Sequence, residues 1–454
     1  MNVIFLTLVR ISDISERNIY TDLMRKFRDE GHQVYIVTPY ERRMGKPTSL
    51  IESGGVHILN VKTLNVQKTN IVEKGIGTLL LERQFEAAIK EYLGDVSFDL
   101  ITYSTPPITF TNVVKYLKRK NPQAKSYLQL KDIFPQNAVD IGMMSKSGLK
   151  GFLYKFFRKK EKELYAVSDY IGCMSPANVE YLLKHNPEIE PSRVEVAPNS
   201  VELLPELSPS DERNKRLIER NYIRSKYHLP IDKPVFIYGG NLGKPQGIPF
   251  LIGCLDANAN RDDSYFVVVG NGTERPKLKA WYEEKRPQSV TVMDGLPKTD
   301  YDMLVRSCDV GLIFLDHRFT IPNYPSRLLS YLENKMPVLC ATDPNTDIGR
   351  IAEENGYGFW CESVKPEDFT TLVDKMLASD RKVMGERGYE FLKQNYLVEN
   401  TYNAIMRHFN DSVGEEDEGL EIGKRRIGEY APSLWRLGTW GITETSATSA
   451  NIHT

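Results

Sequence analysis

Cysteine is scarce in this chain: 454 residues hold five, at Cys173, Cys254, Cys308, Cys340 and Cys361. An odd number, widely spaced and mostly set in apolar runs, reads as reduced core residues of a cytosolic protein rather than a disulfide or zinc framework. Long hydrophobic runs are lacking too, and none approaches the roughly 20 residues that span a bilayer. The opening segment 3–9 is apolar but short, without a basic leader or a small-residue cleavage site. It is expected to be a first buried strand and not a signal peptide. Net charge is nearly absent at −1, so no whole-protein field points to nucleic acid, and any such preference must be local. The histidines are scattered, with no HExxH and no Cys/His ligand spacing, which speaks against a zinc site. GxSxG and GxxxxGK[ST] are both missing, which speaks against a serine hydrolase and a P-loop NTPase.

What is present is an ordinary enzyme-like balance, 41% hydrophobic and 26% charged, in a chain long enough for two or three domains. Strand-like 3–9, a helical run 18–30 stopped by Gly31, and strand-like 33–38 open the chain as a βαβ unit. The alternation continues through strands near 100–103, 126–130, 170–174 and 194–196, with helices at 109–119 and 148–165 between them. A Pro-, Ser- and acid-rich stretch beginning near Glu202 then reads as a linker, after which strands recur near 235, 265, 290, 310, 338 and 357. Strands alternating with helices imply parallel sheets covered on both faces. The expectation is an α/β protein of two Rossmann-like domains, 1–205 and 231–394, facing an interdomain cleft. A linker region is expected at 206–230, a helix at 395–412 packing back on the first domain, and a partly disordered tail at 413–454 in which Trp435 and Trp440 stand out. The cleft-facing loops beyond the strand carboxyl ends are where chemistry is sought.

Four segments could carry that chemistry. Tyr238-Gly-Gly-Asn-Leu-Gly-Lys-Pro-Gln-Gly247 follows a strand and precedes an apolar helix, so its glycines permit close approach of an anion while Asn241, Lys244 and Gln246 donate; a tight turn gives the same string. Val269-Gly-Asn-Gly272 repeats the pattern with Gly270 and Gly272. In Ile321-Pro-Asn-Tyr-Pro-Ser-Arg327, Pro325 enters a helix, Ser326 can cap it and Arg327 sits in its first turn, which suits a diphosphate; an ordinary capped helix suits it equally. Gln129-Leu-Lys-Asp-Ile-Phe-Pro135 puts Lys131 and Asp132 directly past a strand, where Asp132 is either a cleft carboxylate or a turn residue. Asn199 ends the last strand of the first half and is either a turn residue or a cleft ligand, and His317 follows another strand.

From Lys146 to Lys162 seven cations and one acid interleave with Leu149, Phe152, Leu153, Phe156 and Phe157. That spacing fits a helix lying on an anionic bilayer, with Lys155, Phe156, Arg158 and Lys159 toward the membrane, or a core-packed helix with a solvated basic face. Nucleic acid is not expected, since no binding motif accompanies the charge.

Together these segments resemble the GT-B glycosyltransferases of retaining family 4, over about residues 1–410. The similar subgroup builds bacterial capsule, O-antigen and exopolysaccharide units, including amino-sugar transferases. The pieces that carry the resemblance are Tyr238–Gly247, Lys131-Asp-Ile-Phe-Pro135, Pro198-Asn199 and the run from Tyr324 to Val338. The resemblance implies a hexosyltransferase-type activity that moves a sugar from a nucleotide donor, UDP-linked, to a lipid-linked saccharide. It implies no metal and no cofactor, and a protein peripheral at the inner face of the cell membrane. It assigns Gly240, Asn241, Lys244, Gln246, Gly270, Gly272, Ser326, Arg327 and Ser330 to the donor, and the backbone of 292–296, with Leu296, to the nucleobase. Asp132 and Lys131 fall at the catalytic side of the cleft and Asn199 on the acceptor side. Two departures stand out. The pair of glutamates usual in the family is replaced by Pro322 and Ser330, with Glu333 a helical turn further on, and the N-terminal loop 10–17 has no glycine. The missing acid pair motivates one alternative, a catalytically silent GT-B binding partner in a glycan-assembly complex; another, on the same fold, is a nucleotide-sugar epimerase.

Overall fold

The computed structural model describes residues 1–65, 71–203 and 208–410. The tail expected at 413–454, with Trp435 and Trp440, lies outside the described residues. Two parallel sheets organise the chain. The first contains β1 (Asn2–Leu6), β2 (Gln33–Glu41), β3 (Ser49–Ser53), β4 (Val56–Thr63), β5 (Leu100–Ser104), β6 (Lys125–Leu130), β7 (Tyr170–Cys173) and β8 (Val194–Val196), in the order β3-β4-β2-β1-β5-β6-β7-β8. The second contains β9 (Val235–Gly239), β10 (Tyr265–Val269), β11 (Val290–Met293), β12 (Val310–Phe314), β13 (Val338–Thr342) and β14 (Gly358–Glu362), in the order β11-β10-β9-β12-β13-β14. Apart from the antiparallel β3–β4 pair, neighbouring strands are parallel. Among the parallel strands each sheet reverses its order once, between β1 and β5 and between β9 and β12. Crevices at such reversals are where α/β sheets bind ligands.

The residues account for these elements. β5, β9, β12 and β13 are buried along their whole length, as strands covered on both faces must be. The Ile19–Asp29 helix starts from Asn18, whose side chain accepts from Tyr20 N and Thr21 N, and the chain leaves it through Gly31 at φ 81°. The β3–β4 hairpin turns on Gly54 and Gly55, both at positive φ. The sequence does not announce β3, because it is mostly exposed and lacks a buried apolar face.

Where composition reads as a linker, Pro209–Lys226 is instead an α-helix. Ser208 caps it, accepting from Asp211 N, and Pro209 enters at its first turn; the same Ser, Pro and Asp that mark linkers also start helices. Arg224 on this helix is fully buried, donating to Ser307 O, Pro230 O and Asp309.

Each sheet has its own apolar cluster, but Leu315, Phe319 and Ile321, which follow β12, are buried in the cluster of the first sheet. Val398–Asn410 forms a helix that lies against the first sheet's elements. Its Tyr402 shares a 2.9 Å hydrogen bond with His32, Glu399 pairs with Lys26 at 3.5 Å and Thr401 donates to Ser200 at 2.9 Å. Among the described residues no helix is long and apolar enough to cross a membrane.

Candidate active site

Three loops at the carboxyl ends of the second sheet lock into one another. Gly240 N donates to Val269 O, Leu242 N to Asn271 O and Gly270 N to Met293 O, at 2.9, 2.9 and 3.2 Å. A Cβ on Gly270, which lies at φ 155°, would sit 1.8 Å from Gly240 O, and one on Gly272 would sit 2.3 Å from Leu242 O. These two glycines are therefore required by the protein's own backbone, before any ligand is considered. Gln246 staples the first loop, its Oε1 accepting from Asn241 Nδ2 at 3.2 Å and from Gly243 N at 3.1 Å. Lys244 is exposed on the same loop, and Leu296 is half-buried beyond β11.

Arg327 closes over this platform. Its guanidinium carbon stands 4.2 Å from the centre of the Tyr238 ring, whose hydroxyl donates to Asn241 O at 2.8 Å. Gly240, at φ 123°, brings the loop so close that a Cβ there would be 3.4 Å from Arg327 Nη2. Arg327 Nη1 is buried without a hydrogen-bond partner among the described residues. Burial disfavours the charge, yet Tyr238 and Tyr331 outweigh it and the guanidinium pKa lies above its usual value. An orphaned cationic N–H beside a glycine loop is suited to a phosphate oxygen.

Ser326 is not a capping residue here. Its backbone, at φ −63° and ψ −16°, is already helical, and its side chain makes no cap bond. An N-cap side chain reaches the first-turn N–H groups from extended backbone, which Pro325-Ser326 does not provide. Ser330 is half-buried on the same helix, Arg327–Glu333, one turn beyond Arg327.

On the first sheet, β6 delivers Lys131 and Asp132, and the turn after β8 delivers Asn199. Lys131 Nζ donates to Asn199 Oδ1 at 2.6 Å and stands 4.6 Å from the centre of the Tyr20 ring. Thr105 Oγ1 accepts from the N–H groups of both Lys131 and Asp132, at 2.9 and 3.0 Å. Asp132 Oδ1 accepts from Asn137 Nδ2 at 2.7 Å. Burial pushes Lys131 down to about 7 and Asp132 up to about 6, so both titrate near neutrality. Tyr20, Thr105 and Asn137 carry no motif that sequence reasoning could single out.

Several contacts join the two sheets' elements across the crevice. Arg17, from the glycine-free loop after β1, pairs with Glu333 at 2.7 Å and also donates to Glu202 O. Asn178 donates to Pro322 O at 2.9 Å, Ser175 to Asp347 at 2.8 Å and Thr320 N to Asp140 at 2.8 Å. Pro322 is thus buried at the seam, and Glu333 is engaged by a cation of the opposite domain. His317 is exposed beside Asp316, which holds Arg318 in a two-pronged pair.

The basic helix Gly148–Val167 divides its cations. Lys155 and Lys159 are exposed, but Arg158 turns inward to Glu161 at 2.6 Å and to His185 O at 3.0 Å, so it does not face a membrane. Phe156 is half-buried against Phe157, ring centres 5.3 Å apart. Phe152 and Leu153 on this helix are exposed, Phe152 by 78%.

Comparison with known proteins agrees with this architecture. Residues 219–391 match the family model for glycosyl transferases group 1. WbjE of Pseudomonas aeruginosa, named a probable glycosyltransferase, is 24% identical over 272 residues, covering 60% of this chain and 64% of WbjE. WcaI of Escherichia coli (strain K12), whose name places it in colanic acid biosynthesis, is 24% identical over 154 residues, 33% of this chain and 36% of WcaI. The aligned part thus spans less than two thirds of either curated relative. Among solved structures, sucrose-phosphate synthase from Thermosynechococcus elongatus superposes with TM-score 0.68 at 14% identity, over 90% of this chain and 98% of that one. Anabaena HepE in complex with UDP-glucose gives 0.63 at 12% identity, over 90% and 100%. The chain therefore has the GT-B fold, and its residues 219–391 are similar to the group 1 glycosyl transferases.

Proposed function

We propose that the protein is a retaining glycosyltransferase that moves a sugar from a UDP-linked donor to a lipid-linked saccharide in surface polysaccharide biosynthesis. The observation that carries this reading is the unpartnered Nη1 of Arg327 beside the Gly240 loop. In the reaction the bond from the sugar's anomeric carbon to the diphosphate oxygen breaks, and a bond to an acceptor hydroxyl oxygen forms on the same face. The acceptor's proton goes to the departing diphosphate. Negative charge grows on that leaving group, and Arg327, with Lys244 nearby in the loop, supplies positive potential where it grows. The cleft of the first sheet, with Lys131, Asp132 and Asn199, positions the acceptor. UDP is favoured because HepE, with the same fold, is described with UDP-glucose, and polysaccharide synthesis because WcaI carries that name.

A peripheral seat on the inner face of the cell membrane completes the proposal. Its support is the exposed Phe152 and Leu153 on a helix that also exposes Lys155 and Lys159. Incubation with UDP-sugars and lipid-linked acceptor, read as UDP release and product mass, tests the activity. Silence across a broad donor and acceptor panel overturns it. The replacement of an acid pair by Pro322 and Ser330 favours a second reading, a silent binding partner, which predicts donor binding by calorimetry with no transfer.

A further inference from the structure

Three cations gather around one ring at the rim of the first sheet. Tyr40, near the end of β2, is only 7% exposed. The Arg10 guanidinium carbon stands 5.5 Å from the centre of its ring, and Lys46 Nζ stands 5.4 Å from it. Lys62 is the register partner of Tyr40 on β4, so the two side chains leave the same face of the sheet. Local bonds present Arg10. Thr38 Oγ1 donates to Val9 O at 2.8 Å and accepts from Ile11 N at 3.1 Å, which pins the loop after β1 to β2 on both sides of Arg10. Gly45, at φ 66°, closes the turn that precedes Lys46.

All three cations are exposed, and among the described residues none of their charged groups makes an ion pair or a hydrogen bond. Acids of the same segments are engaged elsewhere. Glu41, next in β2, alternates to the other face and pairs with Arg43. Asp13 accepts from Ser53 at 2.9 Å and Glu16 from Ser12 at 3.1 Å. Like charges held together without a counter-ion repel, and an anion among them removes that repulsion. A guanidinium beside ammonium groups suits phosphate oxygens.

Position says which phosphate. Val37, Leu6, Tyr103 and Leu128 form one row of register partners across β2, β1, β5 and β6. Tyr40 stands three positions past that row on β2, and Lys131 stands three positions past it at the end of β6. The two therefore lie at the same height along the sheet, three strand spacings or about 14 Å apart. That span exceeds a single sugar ring.

We propose that Arg10, Lys46 and Lys62, gathered around Tyr40, bind the diphosphate of a lipid-diphosphate-linked saccharide whose accepting sugar lies at Lys131, Asp132 and Asn199. The inference rests on the transferase reading for the acceptor cluster. It adds that the acceptor is anionic and that more than one sugar unit separates its diphosphate from the accepting hydroxyl.

Calorimetry of the full chain with farnesyl diphosphate, inorganic pyrophosphate and farnesol tests the site without any transfer. Wild type should bind both diphosphates, and the double variant Arg10→Gln, Lys46→Gln should weaken both by roughly tenfold or more. Farnesol, which has no diphosphate, should not distinguish the two proteins. UDP binding and melting temperature should hold in the variant, because both side chains are exposed and neither belongs to the donor loops. No binding of either diphosphate to wild type up to about 1 mM overturns the proposal. Diphosphate binding that falls in Arg327→Ala and not in the double variant also overturns it. Vesicles of phosphatidylglycerol separate an anionic lipid surface from a diphosphate: a double variant that loses the vesicles yet holds farnesyl diphosphate as tightly as wild type overturns it too. Diphosphate binding that depends on Arg10 and Lys46 in a chain that transfers no sugar upholds the site and refutes the transferase reading.

Discussion

Lys131 Nζ donates to Asn199 Oδ1 at 2.6 Å, joining the ends of β6 and β8 across 68 positions of sequence. The contact fixes where the amine stands, with the Tyr20 ring on its other side. Asn199→Ala should therefore lower turnover by about tenfold, the effect of losing one charge-assisted hydrogen bond of ~1.5 kcal/mol. Donor affinity should stay unchanged, because Asn199 follows a strand of the first sheet and the proposed donor loops follow strands of the second. Steady-state kinetics with donor calorimetry on the same variant separates the two quantities. A weakened donor with intact turnover contradicts the assignment.

The same cluster makes stability depend on pH in two windows. Burial lowers Lys131 from 10.5 to about 7, so between these values the unfolded chain binds more protons and stability rises with pH. Burial raises Asp132 from 3.8 to about 6, so between those values the folded chain binds more protons and stability falls as pH rises. Lys131→Met should flatten the rise above pH 7, and Asp132→Asn should flatten the fall below pH 6. Denaturant melts across pH, wild type against each variant, measure both slopes.

Arg327→Ala should weaken binding of UDP and UDP-sugars by about 2 kcal/mol, roughly thirtyfold. The loss should be nearly the same for UDP as for a UDP-sugar, since the guanidinium is assigned to the diphosphate. Arg327→Lys should recover part of it, because a point charge replaces a planar fork stacked on Tyr238. Calorimetry in which alanine binds as tightly as arginine removes the diphosphate assignment.

Gly270→Ala should damage the site through the fold. Its Cβ would meet Gly240 O at 1.8 Å, so the two loops must part. A cost of roughly 3 kcal/mol or more is expected, together with loss of nucleotide binding. Ser326→Ala should change stability by less than about 0.5 kcal/mol, since no cap bond is lost. Equilibrium unfolding of the two variants side by side checks the contrast.

The alternation of buried strands and helices made the two-sheet architecture readable, and the segments after β6, β9 and β10 could be marked as candidate site loops because each follows an unmistakable apolar strand. Contacts set by packing could not be read. Glu333 finds its partner 316 positions away in Arg17, and no local pattern encodes that. Tyr20 reaches Lys131 only because the Ile19–Asp29 helix follows β1, next to the reversal in strand order. Helical spacing placed Arg158 on the basic face, but spacing does not tell that a buried acid, Glu161, draws it inward. The cap at Ser326 was misread for a related reason: residue type was right and backbone conformation was not.

Arg17 offers a test of how the two halves are held. Its guanidinium binds Glu333 at the end of the Arg327 helix and the carbonyl of Glu202, where the chain leaves the first domain. Both partners are partly exposed, so the pair should add no more than ~1 kcal/mol to stability, and Arg17→Met should leave the melting temperature nearly unchanged. Orientation is a different matter, because these bonds join the loop after β1, the exit from the first domain and the Arg327–Glu333 helix. The apolar seam of Phe319 and Ile321 remains in the variant, so the domains should stay together while sampling a wider range of separations. Distances between spin labels on exposed sites of each domain, such as Glu52 and Lys279, should broaden in Arg17→Met and narrow again with UDP-sugar. Phe319→Ala, by contrast, should lower stability by about 3–5 kcal/mol through loss of buried aromatic packing. An unchanged distance distribution in Arg17→Met would show that the seam alone sets the geometry and that Arg17 and Glu333 only decorate it.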